Sequence, residues 1–115
     1  MSAHRRSRAA AESKSSAPLF AALGDKTRLQ LVSRLCDAGP LSITRLTAGS
    51  KVTRQAITKH LSVMQRAGLV RGARHGRESV WQLDPRRLED ARRYLDLISK
   101  QWDDALSRLR QFVED

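Results

Sequence analysis

Cysteine is almost absent from this sequence, because its 115 residues include a single thiol, Cys36. One cysteine cannot form an intramolecular disulfide and does not supply the cluster of thiolates that a zinc-finger type of metal site requires. On a helical projection, Cys36 falls on the side that also carries the apolar residues Leu29, Val32 and Leu35. We therefore expect a thiol packed in the core; the alternative, a redox sensor, requires an exposed thiol.

Long apolar runs are also lacking. No stretch approaches the roughly 20 apolar residues that are needed to span a bilayer. The basic N-terminus, with Arg5, Arg6 and Arg8, is not followed by the apolar stretch of a signal peptide. We therefore expect no membrane partner and a cytoplasmic protein.

Groupings of catalytic side chains are missing as well. The three histidines fall on a predicted tail, on the inner face of a predicted helix and at a predicted hairpin tip. The periodicity of the sequence brings together no Ser-His-acid triad and no pair of carboxylates. The sequence therefore predicts that the protein is not an enzyme.

Acidic residues are absent between Asp37 and Glu78. An ordinary solvated surface mixes charges of both signs, whereas a long segment of one sign is typical of a polyanion-binding protein. Together with the net charge of +10, this segment indicates nucleic acid as the partner. Its eight basic residues are Arg45, Lys51, Arg54, Lys59, Arg66, Arg71, Arg74 and Arg77.

A short helix, a turn and a second helix are predicted within this acid-free segment. Ser42 is a suitable N-cap for the short helix, which residues 48–50 end. Thr53 is a suitable N-cap for the second helix, which runs to about Ala67 and ends at Gly68. At 100° per residue, the inner face of the second helix consists of Ala56, Ile57, His60, Leu61 and Met64.

The opposite face of the second helix carries hydrogen-bonding and cationic side chains: Gln55, Thr58, Lys59, Ser62 and Arg66, with Arg54 at the flank. In a major groove, a glutamine amide can contact adenine and an arginine guanidinium can contact guanine. The alternative is an ordinary solvated helix face, against which the one-sided charge argues. We therefore predict that this helix recognises DNA.

Two strands are predicted after the second helix, over residues 69–73 and 78–83, with a turn at residues 74–77. Gly76 suits the turn, and the cations beside it suit a phosphate backbone or a minor groove. Helix, turn, helix and hairpin together predict a mainly α fold with a small β-hairpin, the winged helix-turn-helix.

A long final helix is predicted from Pro85, at the first helical position, towards Val113. A helix of this length cannot be covered by so small a domain, so we predict a homodimer through the terminal helices. The alternative is that this helix packs against the first helix of the same chain, and the two arrangements are compatible. Apolar residues recur along the final helix in alternating steps of three and four, as in a heptad seam. The seam begins with Leu88 and Ala91 and continues through the predicted dimer contacts Leu95, Ile98, Trp102, Ala105, Leu109 and Phe112.

The chain divides into three predicted parts. Residues 1–16, rich in Ser, Ala and Arg, are expected to form a disordered basic tail. Residues 17–83 form the winged helix-turn-helix domain, in which a first helix capped by Ser16 ends near Gly24 and a second begins after Asp25. Residues 84–115 form the dimerisation helix, whose nearly balanced charges indicate that it is not the DNA surface.

Three stretches resemble the ArsR family of small dimeric bacterial transcriptional repressors: LGDKTRLQLVSRL, VTRQAITKHLSVMQRAGLV and RHGRESVWQL, within residues 18–113. The resemblance implies a homodimer that binds an imperfect inverted repeat in double-stranded DNA near its own promoter and blocks transcription. It also implies that the second helix of the motif enters the major groove. The matching DNA-binding positions are Thr53, Arg54, Gln55, Thr58 and Lys59 in that helix and Arg74, His75 and Arg77 in the wing.

The sequence departs from the metal sensors of that family. Residues 42–47 contain no Cys-x-Cys pair, and the final helix contains no histidine. Because chelation needs several thiolate or imidazole ligands close together, we predict no metal and no other cofactor. The inducing signal stays open.

A non-specific architectural nucleic-acid-binding protein is the alternative function that the charge suits equally well. Gln55 and Thr58 discriminate between the two, because a purely electrostatic binder does not need amide and hydroxyl groups on the groove-facing side of a helix. These two residues favour sequence-specific recognition.

Overall fold

The computed structural model describes residues 16–114, and the predicted disordered tail lies, apart from Ser16, outside them. The described residues form five helices and three strands. The helices are α1 (helical over 16–23), α2 (Lys26–Ala38), α3 (Ile43–Thr47), α4 (Arg54–Arg66) and α5 (Pro85–Glu114), and the strands are β1 (Leu41–Ser42), β2 (Val70–His75) and β3 (Glu78–Leu83). The predicted winged helix-turn-helix is therefore confirmed, with α3 and α4 as the two helices of the motif and β2 and β3 as the wing.

Side chains cap the helices where the sequence predicted caps. Each of the three capping oxygens accepts a hydrogen bond from a main-chain amide of the first turn, which is otherwise without a partner in a helix. The pairs are Arg28 N to Asp25 Oδ2 (3.0 Å), Arg45 N to Ser42 Oγ (3.2 Å) and Ala56 N to Thr53 Oγ1 (3.1 Å). Ser16, which was predicted to cap α1, is instead helical itself and buried.

The sheet has one strand more than the predicted hairpin. It is antiparallel in the order β1-β3-β2, and the two-residue strand β1 pairs Leu41 with Trp81. Strand β2 also extends further than predicted, because His75 pairs with Glu78 and leaves a loop of two residues, Gly76 and Arg77. Gly76 has a φ of 63°, which suits the first central position of a tight hairpin loop.

A glycine in the wing lies directly against an indole ring. Gly72 pairs with Trp81 across β2 and β3, and a Cβ added at Gly72 would lie only 3.0 Å from Cζ3 of Trp81. That separation is shorter than van der Waals contact between carbon atoms. The absence of a side chain at Gly72 therefore lets the ring of Trp81 cover strand β2.

Helix α2 presents a different side to the core from the one predicted. Leu31 and Leu35 are buried, whereas Leu29 is 53% exposed and Cys36 is exposed. The expectation of a core thiol at Cys36 is therefore wrong, as is the inward orientation of Leu29. At 100° per residue, two apolar stripes overlap on this helix, and its packing against α4 and β3 buries the stripe that contains Leu31.

Helix α5 packs against the body only through its first half. Ala91 is buried, and the ring of Tyr94 lies 5.5 Å, centroid to centroid, from the ring of Phe20 on α1. Six large apolar side chains beyond Tyr94 are exposed: Leu95, Trp102, Leu106, Leu109, Phe112 and Val113. Among residues 16–114, no helix has both the length and the apolar composition needed to cross a membrane.

Candidate nucleic-acid interface

Helix α4 separates its two faces as predicted. Its apolar side chains Ile57, Leu61 and Met64 are buried to 1% exposure or less. Because these side chains fix the rotation of the helix, its opposite face points to solvent. The predicted contact residues Thr53, Arg54, Gln55, Thr58 and Lys59 are all exposed at the start of α4 or on that face.

The hydroxyl groups of two predicted contact residues already form hydrogen bonds with the main chain of α4. The Thr53 hydroxyl oxygen accepts the capping bond from the Ala56 amide. The Thr58 hydroxyl donates to the Arg54 carbonyl at 2.8 Å, one turn earlier. Thr58 therefore offers a base edge its methyl group and an oxygen lone pair while this internal bond is made.

The predicted contact residues of the wing do not share one face. Arg74 and His75 are successive residues of β2, so their side chains point to opposite faces of the sheet. Arg74, Trp81 and Gln65 line a groove of about 250 Å³. Gln65 lies at the end of α4. His75 lies opposite Glu78, which brings an acid to the tip beside Arg77.

The basic residues of the acid-free segment all reach the surface. The eight cations between Asp37 and Glu78 are exposed: Arg45, Lys51, Arg54, Lys59, Arg66, Arg71, Arg74 and Arg77. Arg71 is partly neutralised, since its Nε lies 3.8 Å from Oδ2 of Asp84. The surface thus has the one-sided charge that attracts a polyanion.

An arginine that was not singled out from the sequence supports the short helix α3. The guanidinium of Arg34, on α2, donates to the carbonyl of Leu46 at 2.8 Å and to that of Arg45 at 2.9 Å. These carbonyls belong to the last turn of α3, where they have no partner within the helix. Arg34 therefore ties the first helix of the motif to α2.

A second polar group joins the inner face of α4 to the start of α2. His60 lies on the inner face of α4, as predicted, and is half-buried. Its Nδ1 is 3.2 Å from Nη1 of Arg28 and 3.8 Å from Oδ2 of Asp25. Arg28 also donates to the carbonyl of Ala22 at the end of α1. The pKa of the Asp25 carboxyl lies below its ordinary value, first because the Arg28 amide donates to the carboxylate.

Arg87 is another arginine that was not singled out from the sequence. From the first turn of α5, its Nε donates to the carbonyl of Ala67 at the end of α4, at 2.9 Å. The i,i+3 spacing of Arg87 and Asp90 was visible in the sequence, but a main-chain acceptor cannot be recognised from residue types.

Across residues 16–114, no three His, Cys, Asp or Glu side chains lie close enough together to hold a metal ion.

Comparison with known proteins yields matches over most of the chain. A family of helix-turn-helix domains matches residues 23–73. The HTH-type transcriptional regulator Rv2034 of Mycobacterium tuberculosis is 38% identical over 93 residues, which cover 81% of this chain and 83% of that protein. The HTH-type transcriptional regulator YuzN of Bacillus subtilis is 41% identical over 68 residues, covering 54% of this chain and 74% of the relative.

A solved structure has the same architecture. The ArsR-like transcriptional regulator from Rhodococcus sp. RHA1 superposes with a TM-score of 0.73 at 35% sequence identity. The match covers 89% of this chain and 93% of that protein, so it includes the long final helix as well as the helix-turn-helix. All three named relatives are described as transcriptional regulators.

Proposed function

Because the chain belongs to the ArsR family of winged helix-turn-helix transcriptional regulators, we propose that it is a repressor that binds an inverted-repeat operator as a homodimer and controls its own promoter. Proteins of this family are DNA-binding regulators and not enzymes. We propose a cytoplasmic location, because bacterial DNA lies in the cytoplasm.

The exposed face of α4 is the observation that carries this proposal. The helix buries Ile57, Leu61 and Met64 in its own chain. It presents Gln55 and Arg54 to solvent, within a segment that contains no acid. A helix of this kind fits a major groove, where the glutamine amide would pair with adenine and the guanidinium with guanine. Thr58 and Lys59 complete the proposed contact surface, and Thr53 lies where α4 begins.

In this proposal the wing holds the DNA backbone and does not select the sequence. Arg77 occupies the two-residue loop, where its side chain is exposed and can follow a phosphate or enter a minor groove. Arg74 lies on the sheet face that looks towards the end of α4, so it approaches the DNA beside that helix. His75 lies on the opposite face of the sheet, so it would contact DNA from the side of the wing that faces away from α4.

The part of α5 beyond Tyr94 supports the proposed homodimer. Its exposed side chains include Trp102 at 60% and Phe112 at 81% exposure, on a stripe with the spacing of a coiled-coil seam. The contacts would be made by Leu95, Ile98, Trp102, Ala105, Leu109 and Phe112. Two copies related by a twofold axis would present two α4 helices to half-sites about 34 Å apart, one turn of DNA.

A non-specific architectural function is the second candidate, and the net charge of +10 favours it as much as it favours a repressor. The two functions differ in what the α4 face must contain. Electrostatic binding needs only cations, whereas Gln55 adds an amide whose donor and acceptor distinguish one base from another. We therefore favour sequence-specific binding.

A competition assay tests the proposed function. The labelled duplex is the near-palindrome that the proposal expects upstream of the chain's own reading frame. It is competed, at physiological salt, with the unlabelled palindrome or with a random duplex of equal length. We expect the palindrome to compete about 10³-fold better or more, the lower range for specific regulators. Equal competition by the two duplexes would establish the architectural function instead.

The salt dependence of the same assay tests the role given to the wing. Arg77→Ala should weaken binding to both duplexes alike and lower the slope of log affinity against log salt by about one unit, since one phosphate contact is lost. Arg108→Ala, which removes one charge from the exposed second half of α5, is the control and should leave the slope unchanged. An unchanged slope in Arg77→Ala would remove the wing loop from the interface.

A further inference from the structure

We propose that Arg87 is a positioning residue that fixes the recognition helix α4 to the first turn of α5 and thereby sets the spacing of the two recognition helices in the dimer. This inference rests on the proposed homodimer. The junction where α4, the wing and α5 meet would then affect sequence discrimination. No residue of this junction lies on the DNA-facing side of α4.

The bond from Arg87 to Ala67 satisfies a group that the helix itself leaves without a partner. The last carbonyls of a helix have no amide ahead of them to accept from. Nε of Arg87 donates to the carbonyl of Ala67, the C-cap residue of α4, at 2.9 Å. The side chain of Arg87 is only 18% exposed, so water competes weakly for this bond. The end of α4 is thus held by a charged donor from another helix.

Arg87 is itself held in place from two sides. Its Nη1 donates to Oδ2 of Asp90 at 3.3 Å, and Oδ1 of Asp90 accepts from Arg93 at 3.2 Å, both within α5. Its aliphatic stem lies over Gly68, where an added Cβ would be 3.6 Å from Cδ of Arg87. The guanidinium therefore has one arm on α5 and one on α4, with its stem packed against the turn that follows α4.

Two more contacts at the same junction keep α5 aligned with the wing. The amide of Asp84, just before α5, donates to the carbonyl of Leu69 at 2.8 Å. The carboxylate of Asp84 accepts from the Arg86 amide at 3.0 Å and lies 3.8 Å from Nε of Arg71 on β2. The start of α5 is therefore fastened to both elements of the proposed DNA surface, and Arg87 supplies the link to α4.

The geometry of a dimer makes this link matter for specificity. A partner that packs on the second half of α5 sets the direction of that helix, roughly 45 Å long. A small change in the angle between α5 and α4 would then move the two α4 helices relative to each other. Two half-sites must be matched at once for specific binding, whereas phosphate contacts tolerate such a change. Loss of Arg87 should therefore reduce specific binding and spare non-specific binding.

Distances between spin labels measure the proposed effect directly, without DNA. The label is placed at Gln65→Cys, which is exposed on α4, in a chain whose own thiol is removed by Cys36→Ser, and pulsed dipolar spectroscopy gives the distance across the dimer. We expect one narrow distribution in the parent, a clearly broader or shifted one in Arg87→Met, and partial recovery in Arg87→Lys. The matched control is Arg86→Met, which removes the same charge from the neighbouring exposed position. Distributions equal in Arg87→Met and Arg86→Met would overturn the inference.

The affinities of the same variants for operator and random duplexes give the functional result. Arg87→Met should bind the operator about tenfold less tightly than Arg86→Met does, as loss of one charge-assisted hydrogen bond predicts. Their affinities for random DNA should be equal. A role in folding alone would lower the melting temperature and leave the ratio of the two affinities unchanged, and that result would also contradict the inference.

Two outcomes separate this inference from the proposed function. A parent without a distance across the dimer, or without operator preference, contradicts the proposed repressor and the inference with it. A parent that shows both, with Arg87→Met unchanged, contradicts the inference alone. If Arg87→Met does not fold, Asp90→Ala replaces it, because it removes both oxygens of the carboxylate that holds Arg87 on α5 and keeps the bond to Ala67. An Asp90→Ala distribution as narrow as that of the parent then overturns the inference.

Discussion

Helices α4 and α5 carry the same kind of apolar stripe, but only one of them buries it within the chain. On α4, Leu61 and Met64 are completely buried. On the second half of α5, Trp102 and Leu109 are each 60% exposed, although they follow the same helical periodicity. The difference is one of position, because α4 lies between the sheet and α2 whereas α5 extends beyond the body.

The two apolar stripes stabilise different states of the protein. Burial of the α4 stripe contributes to the folding of one chain, and it leaves the opposite face free for DNA. The exposed α5 stripe contributes little to that folding, so its apolar surface can be buried against a second copy of the chain. Substitutions on the two stripes should therefore separate folding from association.

Trp102→Glu should have the largest effect, because it places a charge at the centre of the α5 stripe in both copies. We expect it to cost roughly 4 kcal/mol or more of the dimerisation free energy, as at a strong interface contact, and to produce monomers with poor operator affinity. Sedimentation and operator titration measure the two effects. Gln101→Glu adds the same charge one residue away and should remain dimeric. A dimer that persists in Trp102→Glu would move the interface elsewhere.

Leu61→Ala should have the next largest effect, and on folding. It removes a completely buried side chain from α4 and leaves a cavity, which should lower the free energy of unfolding by about 3 kcal/mol. Chemical denaturation followed by circular dichroism gives the value. Leu106→Ala, on the exposed part of α5, is the matched control and should change the unfolding of the monomeric Trp102→Glu chain by less than about 0.5 kcal/mol. Similar losses in both would remove the distinction between the two stripes.

Gln55→Ala should have a smaller effect, and only on DNA. It should cost about 2 kcal/mol of operator binding and relax the base preference at one position, with the free energy of unfolding unchanged because Gln55 is exposed. Binding to a panel of single-base operator variants measures it. Gln65→Ala makes the same change near the end of the same helix, outside the proposed contacts. Equal weakening of Gln55→Ala on every sequence would contradict the assignment of Gln55 to base recognition.

Cys36→Ser should have the smallest effect. Because the thiol is exposed, the substitution should change the free energy of unfolding by no more than about 0.5 kcal/mol. For the same reason, Cys36 should react completely with an aromatic disulfide reagent in the folded protein. The reaction is followed by absorbance, with urea-unfolded protein as the reference. A thiol that reacts only after unfolding would restore the core position predicted from the sequence.

Local signals in the sequence predicted much of this fold. Caps at Asp25, Ser42 and Thr53 depend on one side chain and an amide three residues later, so they follow from the sequence alone. The winged helix-turn-helix and the extent of α5 were likewise predicted from local patterns of capping, turn-forming and apolar residues. The rotation of α4 was also clear, since only one of its faces is apolar.

Other features depend on tertiary packing and left no pattern to find. Helix α2 has apolar residues on two overlapping stripes, and only its neighbours decide that Leu31 is buried and Leu29 is not. Strand β1 has two residues, too few to show alternation. The contacts of Arg34 and Arg87 end on main-chain carbonyls, which every residue has. Among the candidate DNA contacts, the opposite faces of Arg74 and His75 became clear only from the register of the wing.

The position of the two tryptophans gives the unlabelled protein two separate optical reporters. Trp81 lies across Gly72 in the middle of the sheet, and Trp102 is the only other indole in the chain. Emission from Trp81 should respond to events at the wing, whereas emission from Trp102 should shift to the blue when two copies associate. With Trp102→Phe or Trp81→Phe, fluorescence titrations would follow DNA binding and self-association one at a time.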